Sequence, residues 1–459
     1  MNFYGRTTQR MQLHKLIDNA EMQSILIYGR RRVGKSELIK QVLKESNTTG
    51  VYYECKETTE LNNTESLASV ISEVFGYPRL SFSGIEEILD YLFQAAIDKK
   101  LILVIDEYPY LRKTVKGLDS IVQSLIDKYR DKSLLKLVIC GSYVDVMKSL
   151  ILSESPLYGR IDLTIDLQPM DYLESALFYP NFSCEDKVRL YSVFGGIPYY
   201  NKLIDESKSV KENIIDLIAS PGARLENEVS MYLKSEISKI GNANEVFETL
   251  ARGFSRFSDI LSQSHVSSSP TLVDVLEKLM KMNLVKKVVP INDENNKKKA
   301  GYHICDPLSL FYFRYCFRYS SQLSIMDPDL FYDRYIKKDF ESWYVPRAFE
   351  EVCRQFLINQ NRLGTLPEPF EKIGKYWYDD PVNKTNGEFD LVTQDPNGYI
   401  FYEAKFRNEP VDQKTIDEEI EQVKRTGLNC YKYWFFSRSG FLADPADDLV
   451  LVDIEGLYS

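Results

Sequence analysis

The chain has 459 residues, 44% of them hydrophobic, and a formal net charge of −10 with a pI of about 5.2. That length fits several domains of ordinary size better than one, and the acidic balance excludes long-range attraction to phosphate backbones, so any nucleic-acid contact has to be local. No apolar run approaches ~18 residues, the start Met1-Asn2-Phe3-Tyr4-Gly5-Arg6 has no signal-peptide core, and seven scattered cysteines form no CxxC pair; a cytoplasmic chain with reduced core thiols and no membrane span is expected. Three histidines, His14, His265 and His303, stand in no ligand spacing and argue against zinc.

The first predicted elements build a phosphate site. The apolar run Ser24–Tyr28 reads as a buried strand and leads into Gly29-Arg30-Arg31-Arg32-Val33-Gly34-Lys35-Ser36, a G-x-x-x-x-G-K-S loop followed by a helix. Glycines let the loop's backbone N–H groups turn inward around a phosphate, and the helix N-terminus adds a favourable dipole. All eight loop residues are expected to contact ATP, with Lys35 on the β/γ-phosphates and Ser36 on Mg²⁺. The run Leu101–Ile105 predicts a second buried parallel strand. Asp106 at its end would join the Mg²⁺ shell, and Glu107 would orient the attacking water as general base. A third strand, Leu135–Cys140, ends in Gly141-Ser142, whose hydroxyl is placed to sense the γ-phosphate. Arg160, in Pro156-Leu157-Tyr158-Gly159-Arg160, is the candidate arginine finger; acting in trans it would require a second copy of the chain, a homo-oligomer.

In this order the motifs G-R-R-R-V-G-K-S, L-V-I-D-E, I-C-G-S and P-L-Y-G-R-I resemble the prokaryotic AAA+/STAND-like ATPases called archaeal-type ATPases. Phe3-Tyr4-Gly5-Arg6 is similar to the F-x-G-R start of that family, with Thr7 and Gln9 where it usually carries glutamates. Phe194-Gly195-Gly196-Ile197-Pro198-Tyr199 resembles its G-G-x-P segment, which lies near the nucleotide in place of a second sensor arginine. The resemblance carries Arg160 over as the finger-like residue.

A helical pattern then continues to about residue 235. Past it, helices are expected around Glu245–Ala251, Phe257–Leu261 and Leu272–Met280, the last capped by Ser267-Ser268-Ser269-Pro270. Two short strands, Leu284–Val289 and Tyr302–Ile304, flank Lys297-Lys298-Lys299. This is a winged helix-turn-helix pattern, which reads equally as a DNA-binding module with a locally basic wing or as a structural lid, because Asp274 and Glu277 offset Lys278 and Lys281 on its third helix. Asp306–Tyr315 begins an aromatic, arginine-bearing helix. Aromatics at helical spacing predict a packed connector rather than a base-stacking platform; the segment also resembles the D-P-x-x-x-F-x-F-R connection of the same ATPases.

The last third holds a second chemical site. Glu403 and Lys405 lie two apart in the strand Tyr399–Phe406 and share a face. Asp390 lies on the preceding strand, and Glu350 on the helix Ala348–Leu357 offers a further carboxylate. Glu350, Asp390 and Glu403 make a hard oxygen set for Mg²⁺, with Lys405 positioned to help deprotonate a water. The order helix, three strands, helix with Gln422, two strands resembles the PD-(D/E)xK, restriction-endonuclease-like superfamily, with Phe389 standing where a proline is usual. Another E-x-K, Glu54-Cys55-Lys56, has no Asp-bearing partner strand and is set aside.

The expected fold class is therefore α/β: an AAA+-like P-loop NTPase core (1–170), a helical lid (171–240), a winged helix (241–306), an aromatic connector (307–345) and a restriction-endonuclease-like domain (346–459). The expected function is ATP hydrolysis coupled to DNA binding or metal-dependent DNA cleavage. The alternative is an ATP-driven regulatory switch whose C-terminal domain recognises a partner without catalysis.

Overall fold

The computed structural model describes residues 3–78, 80–231, 240–296, 299–380 and 385–459. They divide into two units, residues 1–170 with Ile197–Tyr199, and Asp171–Gly196 with Tyr200–Ser459. Apart from Ile197–Tyr199 of the expected lid, the segments expected as lid, winged helix, connector and C-terminal domain thus lie in one unit.

In the first unit, apolar runs become the strands β1 (Gln23–Tyr28), β2 (Thr49–Glu54), β3 (Leu101–Asp106), β4 (Leu135–Gly141) and β5 (Leu163–Asp166). All pair in parallel, in the order β2-β3-β4-β1-β5. Every residue of β1, β3 and β4 is buried, as continuous apolar runs require when helices cover both faces of a parallel sheet. Leu103, Leu137 and Ile139 pack with Ile88, Leu92, Phe93 and Ile126 from the helices Ile85–Ala95 and Leu118–Tyr129. The P-loop helix begins at Lys35, inside the G-K-S motif itself. Because all strands point the same way, their carboxyl ends gather at one edge, where the loops carry Ser36, Asp106 and Ser142.

The second unit opens with the short helix Tyr172–Ala176, followed by the helices Cys184–Phe194 and Val210–Leu217, the last held by a capping box of Ser209 and Glu212. Residues 232–239, the end of the expected helical stretch, lie outside the described residues. Helices Ala243–Ala251, Phe257–Gln263 and Ser269–Lys281 precede an antiparallel ribbon of β6 (Val285–Val288) and β7 (Gly301–Ile304). Three further strands, β8 (Lys372–Asp380), β9 (Thr385–Asp395) and β10 (Gly398–Lys405), form an antiparallel meander. A short pair, β11 (Val411–Asp412) and β13 (Phe441–Leu442), brackets β12 (Cys430–Ser437), and β14 (Leu449–Asp453) completes a five-stranded sheet ordered β14-β12-β10-β9-β8. Phe406 and Phe436 meet Phe349 and Phe356 of the helix Val345–Leu363, whereas Phe401 and Phe435 pack with Ile416 and Val423 of the helix Gln413–Arg425. Alternation along each strand therefore places one helix on each face.

The ribbon loop does not stand free. Ile291 N–H donates to the Lys375 carbonyl at 2.8 Å, and the Asn292 side chain both accepts from Trp377 N–H at 3.0 Å and donates to the Trp377 carbonyl at 2.8 Å. The loop so occupies the backbone groups of β8, an edge strand of the sheet. Lys299 is paired with Asp293 at 2.9 Å and lies over the Trp377 ring; Lys297 and Lys298 lie outside the described residues.

The expected aromatic helix is broken into short helices alternating with π-helical turns at Tyr312–Phe317, Tyr332–Ile336 and Phe340–Tyr344. Phe311, Tyr315, Phe340 and Tyr344 are buried against one another, and Phe313 is buried on Phe247, so they present no face to a base. Arg314, which a base-stacking reading would leave in solvent, lies 3.5 Å from the Trp343 ring centroid, pairs with both Asp339 oxygens at 2.6 and 2.7 Å, and donates to the Ala251 carbonyl at 2.6 Å. Arg314→Ala is expected to lower unfolding free energy by about 2–3 kcal/mol in urea titration, below the figure for a fully buried pair because Asp339 is 40% exposed. A loss under about 0.5 kcal/mol, the surface norm, would show that the connector does not depend on it.

Candidate functional sites

The P-loop leaves β1 at Gly29, whose φ of +155° suits glycine, and a Cβ there would meet the Leu167 carbonyl oxygen at 2.4 Å. Gly34 (φ +97°) and Arg32 (φ +66°) complete the strained turn. Lys35 Nζ donates to the Gly29 and Arg30 carbonyls at 2.8 and 3.1 Å, bridging the loop. Burial pushes the Lys35 ammonium down, while Cys140, Glu107 and Asp106 pull it back up.

Seventy residues later in the chain but adjacent in space, Asp106 accepts from Ser36 Oγ at 2.7 Å. The Tyr52 hydroxyl of β2 donates to the same oxygen, and Glu107 N–H holds the other at 2.9 Å. Burial alone would raise this carboxyl, but the hydrogen bonds from Tyr52 and Ser36 outweigh it and hold Asp106 below its ordinary value. Glu107, in the left-handed region at φ +50°, receives Ser142 Oγ at 2.6 and 2.9 Å and Ser142 N–H at 3.2 Å. The donor set, the glycine cradle and the bridging lysine fit a nucleotide triphosphate with Mg²⁺: Ser36 and Asp106 would hold the ion, and Lys35 the phosphates.

Two of the three loop arginines meet aromatic residues. Arg31 donates to Tyr143 OH at 3.1 Å, and Arg32 lies 4.3 Å from the Tyr199 ring centroid. Pro198 would lie 3.6 Å from a Cβ on Gly34, so the G-G-x-P segment reaches the P-loop. Arg160 lies elsewhere: its guanidinium takes both oxygens of Asp127 at 2.9 Å and the Tyr158 carbonyl at 3.1 Å. Within its own chain its partners are thus not P-loop residues.

Two residues of this site had no assigned role in the sequence. Arg6 is buried and donates to the Val33 carbonyl at 3.0 Å, tying the F-x-G-R start to the loop. Tyr52 sits in a strand with no motif, and only the pairing of β2 with β3 brings it to Asp106.

In the second unit the expected residues approach one another but are neutralised differently. Lys405 Nζ lies 2.7 Å from Glu403 and 2.6 Å from Glu419, a carboxylate on the helix Gln413–Arg425 that sequence reasoning missed. Lys375, also missed, bridges Asp390 at 2.7 Å and Glu388 at 2.6 Å. Burial, with Glu419 and Asp390 adding to it against Lys405, pushes the Glu403 carboxyl up to about 7. Burial and then Asp390 raise Glu350 also. Among the described residues no group of three or more His, Cys, Asp or Glu side chains converges on a point that could hold a metal ion. Of the expected Mg²⁺ set Glu350, Asp390 and Glu403, Asp390 is paired with Lys375 and Glu403 with Lys405. The ammonium groups of Lys375 and Lys405 thus take oxygens of Asp390 and Glu403 that a cation would use. His303 of β7 is held neutral, down at about 4, by burial and by the cations Lys375, Arg347 and Lys286. Gln422 serves the fold, donating to Tyr378 OH at 2.7 Å. On the third helix before the ribbon, Lys278 is paired with Asp274 at 2.7 Å.

No described helix is long and apolar enough to cross a membrane. Residues 3–204 match an ATPase domain found predominantly in Archaea, and residues 312–419 match a family of archaeal and bacterial proteins of unknown function. Over 99% of both chains the protein is 28% identical to an uncharacterized protein of Methanocaldococcus jannaschii. Among solved structures, a Walker-type ATPase of Pyrococcus abyssi aligns with a TM-score of 0.52 and 21% identity, over 68% of this chain and 96% of that one. The ORC2 protein of Aeropyrum pernix aligns with a TM-score of 0.42 and 13% identity, over 67% of this chain and 90% of that one. The chain thus carries an archaeal-type ATPase domain over residues 3–204, followed at 312–419 by a segment shared with archaeal and bacterial proteins whose function is not known.

Proposed function

We propose that the first unit hydrolyses ATP and that its nucleotide state governs a nucleic-acid-directed activity of the second. The observation that carries the first half is the convergence of Ser36, Asp106, Glu107 and Ser142 at the carboxyl ends of the parallel strands. Lys35, now held by loop carbonyls, would turn to the β/γ-phosphates. Mg²⁺, when bound, would supply charge neutralisation at the phosphate oxygens. Glu107 orients and deprotonates the attacking water, but Ser142 fills its acceptors in the free protein. Catalysis on this reading requires Ser142 to turn away, which a γ-phosphate accepting from its hydroxyl would favour. Arg160 in trans remains part of the proposal, and it must first leave Asp127.

Glu107→Gln is expected to retain ATP binding while lowering kcat by roughly 10²–10⁴, the usual worth of a general base. Lys35→Ala is expected to weaken ATP binding by about tenfold or more, through loss of a charge-assisted contact. Binding titration and phosphate release measure the two; unchanged turnover in Glu107→Gln would overturn the assignment.

For the second unit, metal-dependent phosphodiester cleavage is supported by Glu403 and Lys405 beside Asp390 and Glu350. Cation binding would have to displace the lysine ammonium groups from their carboxylates. Incubation with Mn²⁺ and DNA is expected to give cleavage that Asp390→Ala and Lys405→Ala abolish. Because the Glu403 carboxyl titrates at about 7 and must be ionised to bind a cation, Mn²⁺ affinity is expected to rise as pH increases through that value. The absence of metal-dependent cleavage in every DNA form would instead favour the partner-recognition reading, for which the lysine-neutralised carboxylates and the docked ribbon speak.

A further inference from the structure

Immediately past β10 and β12, the chain lines a cavity in the C-terminal unit. It has a volume of about 800 Å³, and its lining includes Arg189, Lys211, Lys337, Phe406, Arg407 and Arg438. Five cations face it against three acids, Asp186, Glu341 and Glu409, in a chain whose net charge is −10. Acids in or beside the lining neutralise three of the five, which leaves Arg407 and Lys337 in no ion pair among the described residues.

The cations divide into two kinds. Arg189 is held by Glu341 at 3.0 Å and Asp186 at 2.9 Å, and Lys211 by Asp329 at 2.8 Å and Asp333 at 3.2 Å. Arg438 is held by Glu185 at 2.6 Å and by Asn408 Oδ1 at 2.8 Å. Arg189 and Arg438 both lie over the Phe406 ring, 5.5 and 5.0 Å from its centroid, and so form a fixed floor. Arg407 is different. Its guanidinium makes one long contact, 3.4 Å to Thr415 Oγ1, and its Nε is buried without a hydrogen-bond partner, as is Nε of Arg438. Leaving donors of a buried charged group unmade is costly, on the order of 1–3 kcal/mol or more. Lys337 is exposed and makes no ion pair among the described residues.

We infer that this cavity holds the sugar-phosphate backbone of a nucleic-acid strand, with Arg407 and Lys337 on its phosphate oxygens. The inference rests on the nucleic-acid reading of the second unit given above. Three observations select this ligand. Arg407 and Lys337, the two cations in no ion pair among the described residues, line the cavity from separate elements, which suits successive phosphates of a strand. The aromatic lining residues Phe406, Phe340 and Tyr332 are buried, so no ring is offered to a base; contact is with the backbone and independent of sequence. Arg407 also follows Lys405 by two residues, so a strand held there leads to the Glu403/Lys405 pair.

The test is fluorescence anisotropy of the full chain with labelled mixed-sequence single-stranded and duplex DNA across a salt series, beside inorganic phosphate and a phosphopeptide as competitors. Arg407→Ala and Lys337→Ala are each expected to weaken binding about tenfold and to lower the salt slope by about one, with Arg407→Lys recovering most of the loss. Should Arg407→Ala melt early, the exposed Lys337→Ala carries the same comparison. DNA binding by the parent chain that neither variant changes overturns the cavity and leaves the nucleic-acid reading standing. Competition by the phosphopeptide with no DNA binding overturns the ligand class. No DNA binding by the parent chain at any salt overturns both.

Discussion

The hydrogen bond from Ser36 to Asp106 fixes the geometry on which the ATP site depends. It joins the end of the P-loop to a strand that is not its neighbour, since β4 lies between β1 and β3 in the sheet. The side chains therefore meet across the end of β4, and the residue leaving that strand, Ser142, is left facing Glu107. Gly29 makes the arrangement tight: its backbone passes so close to Leu167, just beyond β5, that no side chain fits. Sheet order, more than any single contact, brings these groups together.

In the second unit the clustered carboxylates are neutralised by lysines. Burial first, and then the neighbouring carboxylates, raise Glu403 and Glu350, which records the cost of ionising them there. Lys375 and Lys405 relieve it, each bridging two acids. An ammonium can be exchanged for a divalent ion, so stability in the free protein and capacity for a cation are not opposed. The same lysines draw together β8, β9, β10 and the helix Gln413–Arg425.

What the sequence made legible was chemistry written in local spacing. The eight P-loop residues, the acid pair after β3 and the serine after β4 each follow an apolar run directly. The order of strands and helices in the C-terminal sheet could likewise be read from alternation and length. Residues recruited by long-range pairing were not legible. Tyr52 reaches Asp106 only through the register of β2 against β3, and Lys375 and Glu419 reach the acids only once the meander and its helix are in place. Three consecutive lysines in the ribbon loop suggested a basic wing, yet Lys299 is taken by Asp293 and Trp377, because nothing in a loop's composition announces an edge strand waiting for it. The aromatic segment kept its packed role but not its single helix; its crowded rings accompany wider turns at three places.

The docking of that loop on β8 also bears on how the chain can be divided. Strand β8 has β9 on one side, and on the other its polar backbone is met by Ile291 and Asn292. A fragment starting after the ribbon would keep every strand of the C-terminal sheet yet expose this row of donors and acceptors. Bare edges of that kind recruit other strands, so such a fragment would tend to self-associate. Modular as the order of elements looks, the cut that respects the structure falls ahead of the ribbon rather than behind it.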